Sequence, residues 1–515
     1  MTRRAFGLAT AGLCLFPWEP REGCALAEET KERAATGADE LYRPQAHYSP
    51  PNGFMNDPNG LVVYQGEYHL FYQYNPFEAK AGHVHWGHAV SPDGLRWRTL
   101  PIALQETKTG QAFSGSAVVD ATNTSGLFPQ TPGGLIAIYT RAGTDRQAQE
   151  LAVSQDAGRT FTAYSGNPVL DVNSGSFRDP KVFRHEASGT SGQWIMAAVR
   201  SREHRVVFYG SPDLKRWTEL SDFGHAGILG VDYECPDLAR LPVEGGGFKW
   251  VLFVSINPGA PQGGSAVQYF VGDFDGIRFT PSDYAARFAD FGKDFYALQS
   301  FNGLAEDAPP TGIAWISNWQ YCNETPTGNW RGVMSLPRQL RLRRKGDDWR
   351  LVQSPPSLDA LADRTLPMDA KPKKQGELRA TMLPAGAAVE ARLRFRVPPS
   401  SVTTVRLANQ GGERLEIGYD ATATQLFVDR GGCRGFSHRF FTDKFAVALD
   451  PGTQKIDLHL VIDRCTLEVF AQDGEAVASV LHFPQKPLNR LSVSSTGAVE
   501  FQETSVRTLR ATMPS

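Results

Sequence analysis

One short pattern returns four times along the first two thirds of the chain, and it constrains the fold more than any other feature. A strand-like run leads into a turn with Asp and Gly or Leu, then a basic residue and an aromatic. The copies are Ser91-Pro92-Asp93-Gly94-Leu95-Arg96-Trp97, Ser154-Gln155-Asp156-Ala157-Gly158-Arg159-Thr160-Phe161, Ser211-Pro212-Asp213-Leu214-Lys215-Arg216-Trp217 and Gly272-Asp273-Phe274-Asp275-Gly276-Ile277-Arg278-Phe279. Their starting residues lie 63, 57 and 61 apart. A period near 60 with several short strands and no helical pattern reads as the blades of a β-propeller. The usual repeat is ~40–50 residues, so these blades carry generous loops. Five such units, starting near residue 45, end near 345.

Composition agrees with an all-β chain. Among 515 residues there are 50 Gly and 34 Pro, with 30 Phe, 15 Tyr and 10 Trp. Aromatics fit pleated surfaces, and Gly and Pro punctuate short strands. The texture changes after Arg350. Residues 351–375, rich in Ala, Pro and Lys, read as a linker with one short helix around Leu358–Ala362. From Gly376 onward alternation returns, as in Val389-Glu390-Ala391-Arg392-Leu393-Arg394-Phe395-Arg396-Val397, with hairpin signals such as Asp473-Gly474. That pattern argues for a β-sandwich. The expected architecture is a five-bladed propeller over 42–350, a linker over 351–375 and a sandwich over 376–512.

Charge narrows the partners. Lys+Arg is 53 and Asp+Glu is 55, a net charge of −2. A nucleic-acid binder usually carries a basic excess, and nothing favours an anionic membrane surface. Residues 1–27 resemble an export signal. Arg3-Arg4 precede the apolar run Ala5 to Phe16, and Ala25-Leu26-Ala27 offers a small-x-small cleavage site. Thr2-Arg3-Arg4-Ala5-Phe6 resembles a twin-arginine motif. The expectation is a periplasmic or secreted protein, with no membrane partner in its mature form. Cleavage leaves Cys235, Cys322, Cys433 and Cys465. A bridge between Cys433 and Cys465 is one reading, and four buried thiols is the favoured one. No Cys/His set has zinc-site spacing.

Three carboxylates sit in near-identical settings: Asn56-Asp57-Pro58, Arg178-Asp179-Pro180 and Glu234-Cys235-Pro236. Proline fixes its own φ and biases its predecessor toward extended backbone, so it aims the acid. Asp57 precedes Ser91 by 34 residues, Asp179 precedes Ser211 by 32, and Glu234 precedes Gly272 by 38. Similar phase implies equivalent strands, and equivalent strands of a propeller share the central axis. The second blade offers Phe113-Ser114-Gly115-Ser116 at this phase. Converging carboxylates serve glycosidic bond cleavage or bind calcium or magnesium. Alternatively, they are acids satisfied by Arg and backbone N–H groups. Aromatics mixed with amides, as in Tyr72-Gln73-Tyr74-Asn75, Trp86-Gly87-His88 and Trp315-Ile316-Ser317-Asn318-Trp319, favour sugar, since rings pack on C–H faces and amides bind hydroxyls.

The set Met55-Asn56-Asp57-Pro58-Asn59-Gly60, Phe113-Ser114-Gly115-Ser116, Phe177-Arg178-Asp179-Pro180 and Glu234-Cys235-Pro236 resembles the signature of glycoside hydrolase family 32. That family includes invertases, exo-inulinases and levanases. The similarity extends through Phe291-Gly292-Lys293-Asp294-Phe295-Tyr296-Ala297 and Asn318-Trp319-Gln320-Tyr321 to Leu467-Glu468-Val469-Phe470. The resemblance implies a five-bladed propeller followed by a sandwich. The sandwich could bind sugar separately, but bracing the propeller is the favoured reading. It implies Asp57 as nucleophile, Glu234 as acid/base and Asp179 as the acid that holds fructose hydroxyls and stabilises the transition state. Arg178 would poise a neighbouring acid. Phe54, Met55, Asn56, Gln73, Trp86, Phe113, Ser114, Arg178 and Trp319 are the expected substrate contacts. Where family members often carry Trp-Gly, this chain reads Lys80-Ala81-Gly82-His83, with Phe77 and His83 as nearby rings. No cofactor and no metal are expected.

The implied activity is a retaining exo-β-fructosidase acting on levan, inulin and sucrose. An invertase acting mainly on sucrose and a fructosyltransferase are same-class alternatives. A carbohydrate-binding propeller without activity is the different-class alternative. A binding protein needs no proton donor, so an intact Asp57 and Glu234 pair counts against it.

Overall fold

The computed structural model describes residues 41–130, 132–186, 192–370 and 376–512. The expected export signal, 1–27, lies outside the described residues. Five antiparallel sheets follow one another along the chain. Their innermost strands are Gly53–Tyr64, Gln111–Asp120, Phe177–His185, Asp232–Pro242 and Tyr296–Ser300. Five apolar clusters fill the spaces between neighbouring sheets. Phe71 and Trp86 of the first blade meet Ala117 and Leu135 of the second, for example. Leu61 and Tyr72 of the first meet Phe301 and Ile313 of the fifth, which closes the ring. Trp330–Arg331, from the fifth repeat, adds in parallel to Gly53 and Phe54 of the first blade. The sheets are the five expected propeller blades.

The recurring motif joins the third and fourth strands of the first four blades. Its aspartate explains why it recurs. Asp93 Oδ1 accepts the backbone N–H groups of Leu95 and Arg96 at 3.0 and 2.8 Å, and Asp93 Oδ2 accepts Arg96 Nε at 2.7 Å. Asp213 does the same for Lys215 and Arg216, Asp275 accepts the backbone N–H groups of Ile277 and Arg278, and Asp156 accepts the N–H and hydroxyl of Thr160. An Asp side chain that mimics a backbone turn is a compact way to reverse a strand. The fifth blade lacks the motif because Gly346-Asp347 alone joins its last two strands, with Lys345 paired to Asp348.

The bottom of the central channel is closed. Asn302 bonds through its backbone to Leu61 and Val63 of the first blade, and through its amide to Ala117 O and Val182 O at 2.8 and 2.9 Å. Beside it, Lys181 Nζ reaches Asp237 at 2.9 Å and Ser300 O at 2.6 Å. Every blade therefore contributes to a polar plug, and the propeller is a blind funnel.

The fifth blade runs on to Ser354, and Ala362–Thr365 already forms an edge strand of the following sandwich. Part of the expected linker, 351–375, is therefore strand. Leu351 and Val352 are buried in the blade, which holds the chain in the sheet past Arg350. The expected short helix is a single 3-10 turn, Asp359–Leu361. Two six-stranded sheets then face each other over one apolar core. Cys433 and Cys465 are free and buried, as are Cys235 and Cys322.

Propeller and sandwich are joined by buried ions. Arg338 of the fifth blade has no exposed side-chain surface. It bonds Glu468 Oε2 at 2.6 Å through Nη2 and Asp290 Oδ2 at 3.1 Å, under the rings of Phe295 and Phe470. His47 bridges Asp463 and Glu468 at 3.0 and 3.1 Å. Arg430 of the sandwich holds Asp294 at 2.7 Å. Burial pulls His47 down, but its hydrogen bonds to the two carboxylates outweigh burial and hold it up at about 9. Glu468 is pushed up by burial, yet Arg338 and His47 bring it down to about 2.

Two outcomes follow from this interface. Glu468→Ala takes a carboxylate from both buried Arg338 and buried His47, so urea unfolding should show a loss of about 3–5 kcal/mol. His47 keeps its proton longer when folded than when unfolded, where its value is 6.5. Its stabilisation is thus complete below pH 6.5 and lost as pH rises through about 9. Thermal melting should fall across that window, and His47→Gln should flatten the fall.

Candidate active site

All five innermost strands break register at the same height. Between Met55 and Pro58, Ala112 and Gly115, Arg178 and Lys181, Glu234 and Asp237, and Tyr296 and Gln299, two residues oppose one on the neighbouring strand. Such bulges turn side chains out of the alternating pattern. Here they turn them toward the axis. Asp57, Ser114 and Asp179 sit within bulges, while Glu234 and Tyr296 stand immediately before theirs. The prolines work differently from expectation. Asp179 and Cys235, each just before a proline, have positive φ of 63° and 46° instead of extended backbone. The bulge demands that turn, and Asp179 N–H donates to Thr140 Oγ1 at 3.0 Å to hold it. Gly115 lets the second bulge pack, since a Cβ there would stand 2.1 Å from Ile138 O.

The three acids meet. Asp57 is buried and accepts four donors: Asn56 Nδ2 at 3.1 Å, Gln73 Nε2 at 3.2 Å, Ser114 Oγ at 2.7 Å and the Cys235 thiol at 3.3 Å. Asp179 Oδ2 accepts the backbone N–H of Cys235 at 2.9 Å, with Arg178 Nε at 3.8 Å. Glu234 Oε1 accepts Arg178 Nη2 at 2.9 Å, and Oε2 accepts the Tyr296 hydroxyl. Glu234 is the most open of the three, with 22% of its side chain exposed.

The site is electrostatically unfavourable by construction. Burial pushes Asp57 above the usual carboxylate range, and the Glu234 charge pushes it further, against the hydrogen bonds from Ser114, Asn56 and Cys235. Burial also pushes Asp179 up, to about 7, with the charges of Glu234 and Asp57 adding to burial against the pull of Arg178. Burial and the surrounding acids hold the Cys235 thiol and the Tyr296 hydroxyl well above their ordinary values. Both are therefore donors here, never anions. A buried, like-charged carboxylate set of this kind marks a functional site.

The expected contacts divide. Asn56, Gln73, Ser114 and Arg178 lie against the acids. Phe54 and Trp319 pack together with Trp315 above them, at ring separations of 6.3 and 5.0 Å. Trp319 Nε1 has no hydrogen-bond partner among the described residues. The Phe113 carbonyl accepts Trp86 Nε1 at 2.9 Å. Met55 and Trp86, expected as contacts, are core residues. Met55 is fully buried among Leu61, Tyr72 and Met334, and Trp86 lies between Phe71 and Tyr139 with its one donor already used. Each points to the blade interior because strand neighbours alternate faces. Phe77 is 71% exposed and meets His83 and His85 edge-on.

Sequence reasoning gave no role to Tyr296 or Cys235, although both stand in motifs it quoted. The common signal is the bulge. Tyr296 precedes the fifth bulge as Glu234 precedes the fourth, so aligning blades by register finds it.

Comparison with known proteins comes to the same place. The glycosyl hydrolases family 32 N-terminal domain matches residues 47–355, and the family 32 C-terminal domain matches residues 359–508. A levanase of Bacillus subtilis is 40% identical over 488 residues, covering 92% of this chain and 71% of the levanase. An invertase of Schizosaccharomyces pombe is also 40% identical, over 84% of this chain and 79% of its own. A β-fructofuranosidase from Schwanniomyces occidentalis, solved with fructosyl-erythritol, superposes with a TM-score of 0.85. It is 34% identical and covers 93% of this chain and 99% of its own.

The donor set around Asp57 yields one prediction. Ser114→Ala removes a hydrogen bond that favours the carboxylate, so Asp57 should titrate higher still, by about one pH unit. Carboxyl ¹³C NMR titration reads this directly, and an unmoved curve would contradict the assigned hydrogen bond.

Proposed function

The chain belongs to glycosyl hydrolase family 32 and is a glycoside hydrolase of the β-fructofuranosidase type; from that premise we propose a retaining exo-β-fructosidase that releases terminal fructose from levan, inulin and sucrose. The observation that carries the exo reading is the blind funnel. The plug of Asn302, Lys181, Asp237 and Ser300 leaves no exit below the acids. A polymer enters such a funnel only by its end.

The chemistry follows from the acids' surroundings. Asp57 is buried and fixed by four donors, so its carboxylate is the nucleophile that attacks the anomeric carbon of the terminal fructose. Glu234, nearest the opening, gives its proton to the glycosidic oxygen as the C–O bond breaks. The leaving sugar departs and a fructosyl ester on Asp57 remains. Glu234, now a carboxylate, takes a proton from water as that water attacks the ester, and free fructose leaves. Asp179 holds fructose hydroxyls and faces the positive charge that develops on the ring. Arg178 and Tyr296 hold Glu234 in place, one on each oxygen. The acids' oxygens are turned to N–H, O–H and S–H donors, an arrangement suited to sugar chemistry without a metal ligand set.

Substrate and compartment follow in the same reading. The export signal in residues 1–27 supports action outside the cytoplasm, where polymeric fructan is met. Fructose should be the sole early product from levan or inulin, read by chromatography of short digests. Asp57→Ala and Glu234→Ala should each lower fructose release by about 10⁴-fold or more while leaving the melting curve in place. Near-normal turnover in either variant refutes its role.

A further inference from the structure

Arg178 does not serve Glu234 alone. Its Nη2 stands 2.9 Å from Glu234 Oε1 and 3.4 Å from Asp232 Oδ1. Asp232 lies two residues before Glu234 on the same strand, and its Oδ1 is gripped from the other side. Arg202 Nε reaches that oxygen at 2.8 Å and Ser201 Oγ at 2.8 Å. Ser201 and Arg202 belong to the hairpin tip of the third blade, just after Gln193–Arg200. One guanidinium of the funnel is thus shared between the proton donor and a second carboxylate, and a cation from the rim holds that carboxylate.

We propose that Asp232 is a positioning residue that, together with Arg202, divides the Arg178 guanidinium between itself and Glu234. The idea rests on the reading of Glu234 as acid/base. A proton donor needs its neutral form retained at working pH. An Arg devoted wholly to Glu234 favours the carboxylate and opposes that. Asp232 draws part of the positive charge away and adds a negative one two residues along the strand. Arg202 in turn moderates Asp232. The remaining charged and titratable groups here are Asp57, Asp179, Cys235 and Tyr296 around the acids, and His204, whose ring meets Tyr233 at 5.3 Å. Arg200, Glu203 and Glu219 pair among themselves on the outer side of the hairpin.

The arrangement makes two variants act in opposite directions. Asp232→Asn keeps an oxygen for Ser201 and Arg202 but loses the charge, so Glu234 gives up its proton at lower pH. Arg202→Gln uncovers the Asp232 charge, so Glu234 holds its proton to higher pH. The Arg202 side chain is 64% exposed, so its replacement leaves the fold undisturbed. The test is the pH profile of kcat/KM for fructose release from sucrose by the full-length enzyme. The alkaline limb should move down by about 0.5–1 pH unit in Asp232→Asn and up by a similar amount in Arg202→Gln. The acid limb should stay in place. Unmoved alkaline limbs, or limbs that move the same way in both variants, overturn the proposal. If Asp232→Asn fails to fold, the Arg202→Gln limb decides alone: an upward shift supports the proposal and no shift overturns it. A native enzyme that releases no fructose defeats the acid/base reading itself, a result distinct from unmoved limbs in an active enzyme.

Discussion

Everything at the centre of this molecule depends on a backbone irregularity repeated five times. A regular inner strand would point every second side chain at the neighbouring blade and leave the axis lined by backbone. The two-against-one bulge on each inner strand breaks that alternation at one height. It presents an amide-bound Asp, a Ser, an Asp beside an Arg, a Glu and a Tyr to one point. The strain is real at Asp179, Cys235 and Ala297, whose φ values of 63°, 46° and 55° suit few side chains. Blade packing over five apolar clusters is what sustains it. The site is therefore a product of the whole ring and not of any one loop.

The molecule handles charge in two opposite ways. Between propeller and sandwich, each buried ion meets its counter-ion: Arg338 with Glu468 and Asp290, Arg430 with Asp294, His47 with Asp463. In the funnel, Asp179 and Glu234 share Arg178 with Asp232, and Asp57 is held by uncharged donors alone. The two regions are connected. Asp290 and Asp294, fixed by the sandwich, bracket the segment that leads into Tyr296, and Tyr296 binds Glu234. The well-compensated interface thus anchors a strand of the under-compensated site. Bracing is the function this gives the sandwich, and Glu468 within Leu467-Glu468-Val469-Phe470 is its keystone.

The blade period was legible because three of the four copies share an Asx-type turn, in which one Asp accepts two backbone N–H groups, the second from a basic residue. It was silent for the fifth blade because Gly346-Asp347 makes that turn without the motif. The acids were legible through their prolines, but the prolines pointed to extended backbone while the bulges required positive φ at Asp179 and Cys235. Met55, just before the first bulge, and Trp86, between Phe71 and Tyr139, have their side chains in apolar clusters, and their places within or near the motifs did not show this. The buried ion network was illegible, since nothing in local sequence shows that Arg338 and Glu468, 130 residues apart, share one dry cavity.

In the proposed reaction, levan, inulin and sucrose would all present the same terminal fructose to the funnel floor and differ in what is attached to it. The floor cannot tell them apart, because its polar groups are committed to the acids and the plug. Discrimination has to come from groups outward of Glu234, the most open of the three acids. On that side stand the hairpin tip with Arg202 and the segment with exposed Leu229 and Val231, and the exposed Phe77 stands in the segment that lacks the family's frequent Trp-Gly. Of these, Arg202 reaches the acid/base, through Asp232 and Arg178; in the proposed reaction a leaving sugar that touches Arg202 would act on the proton donor as well as on affinity.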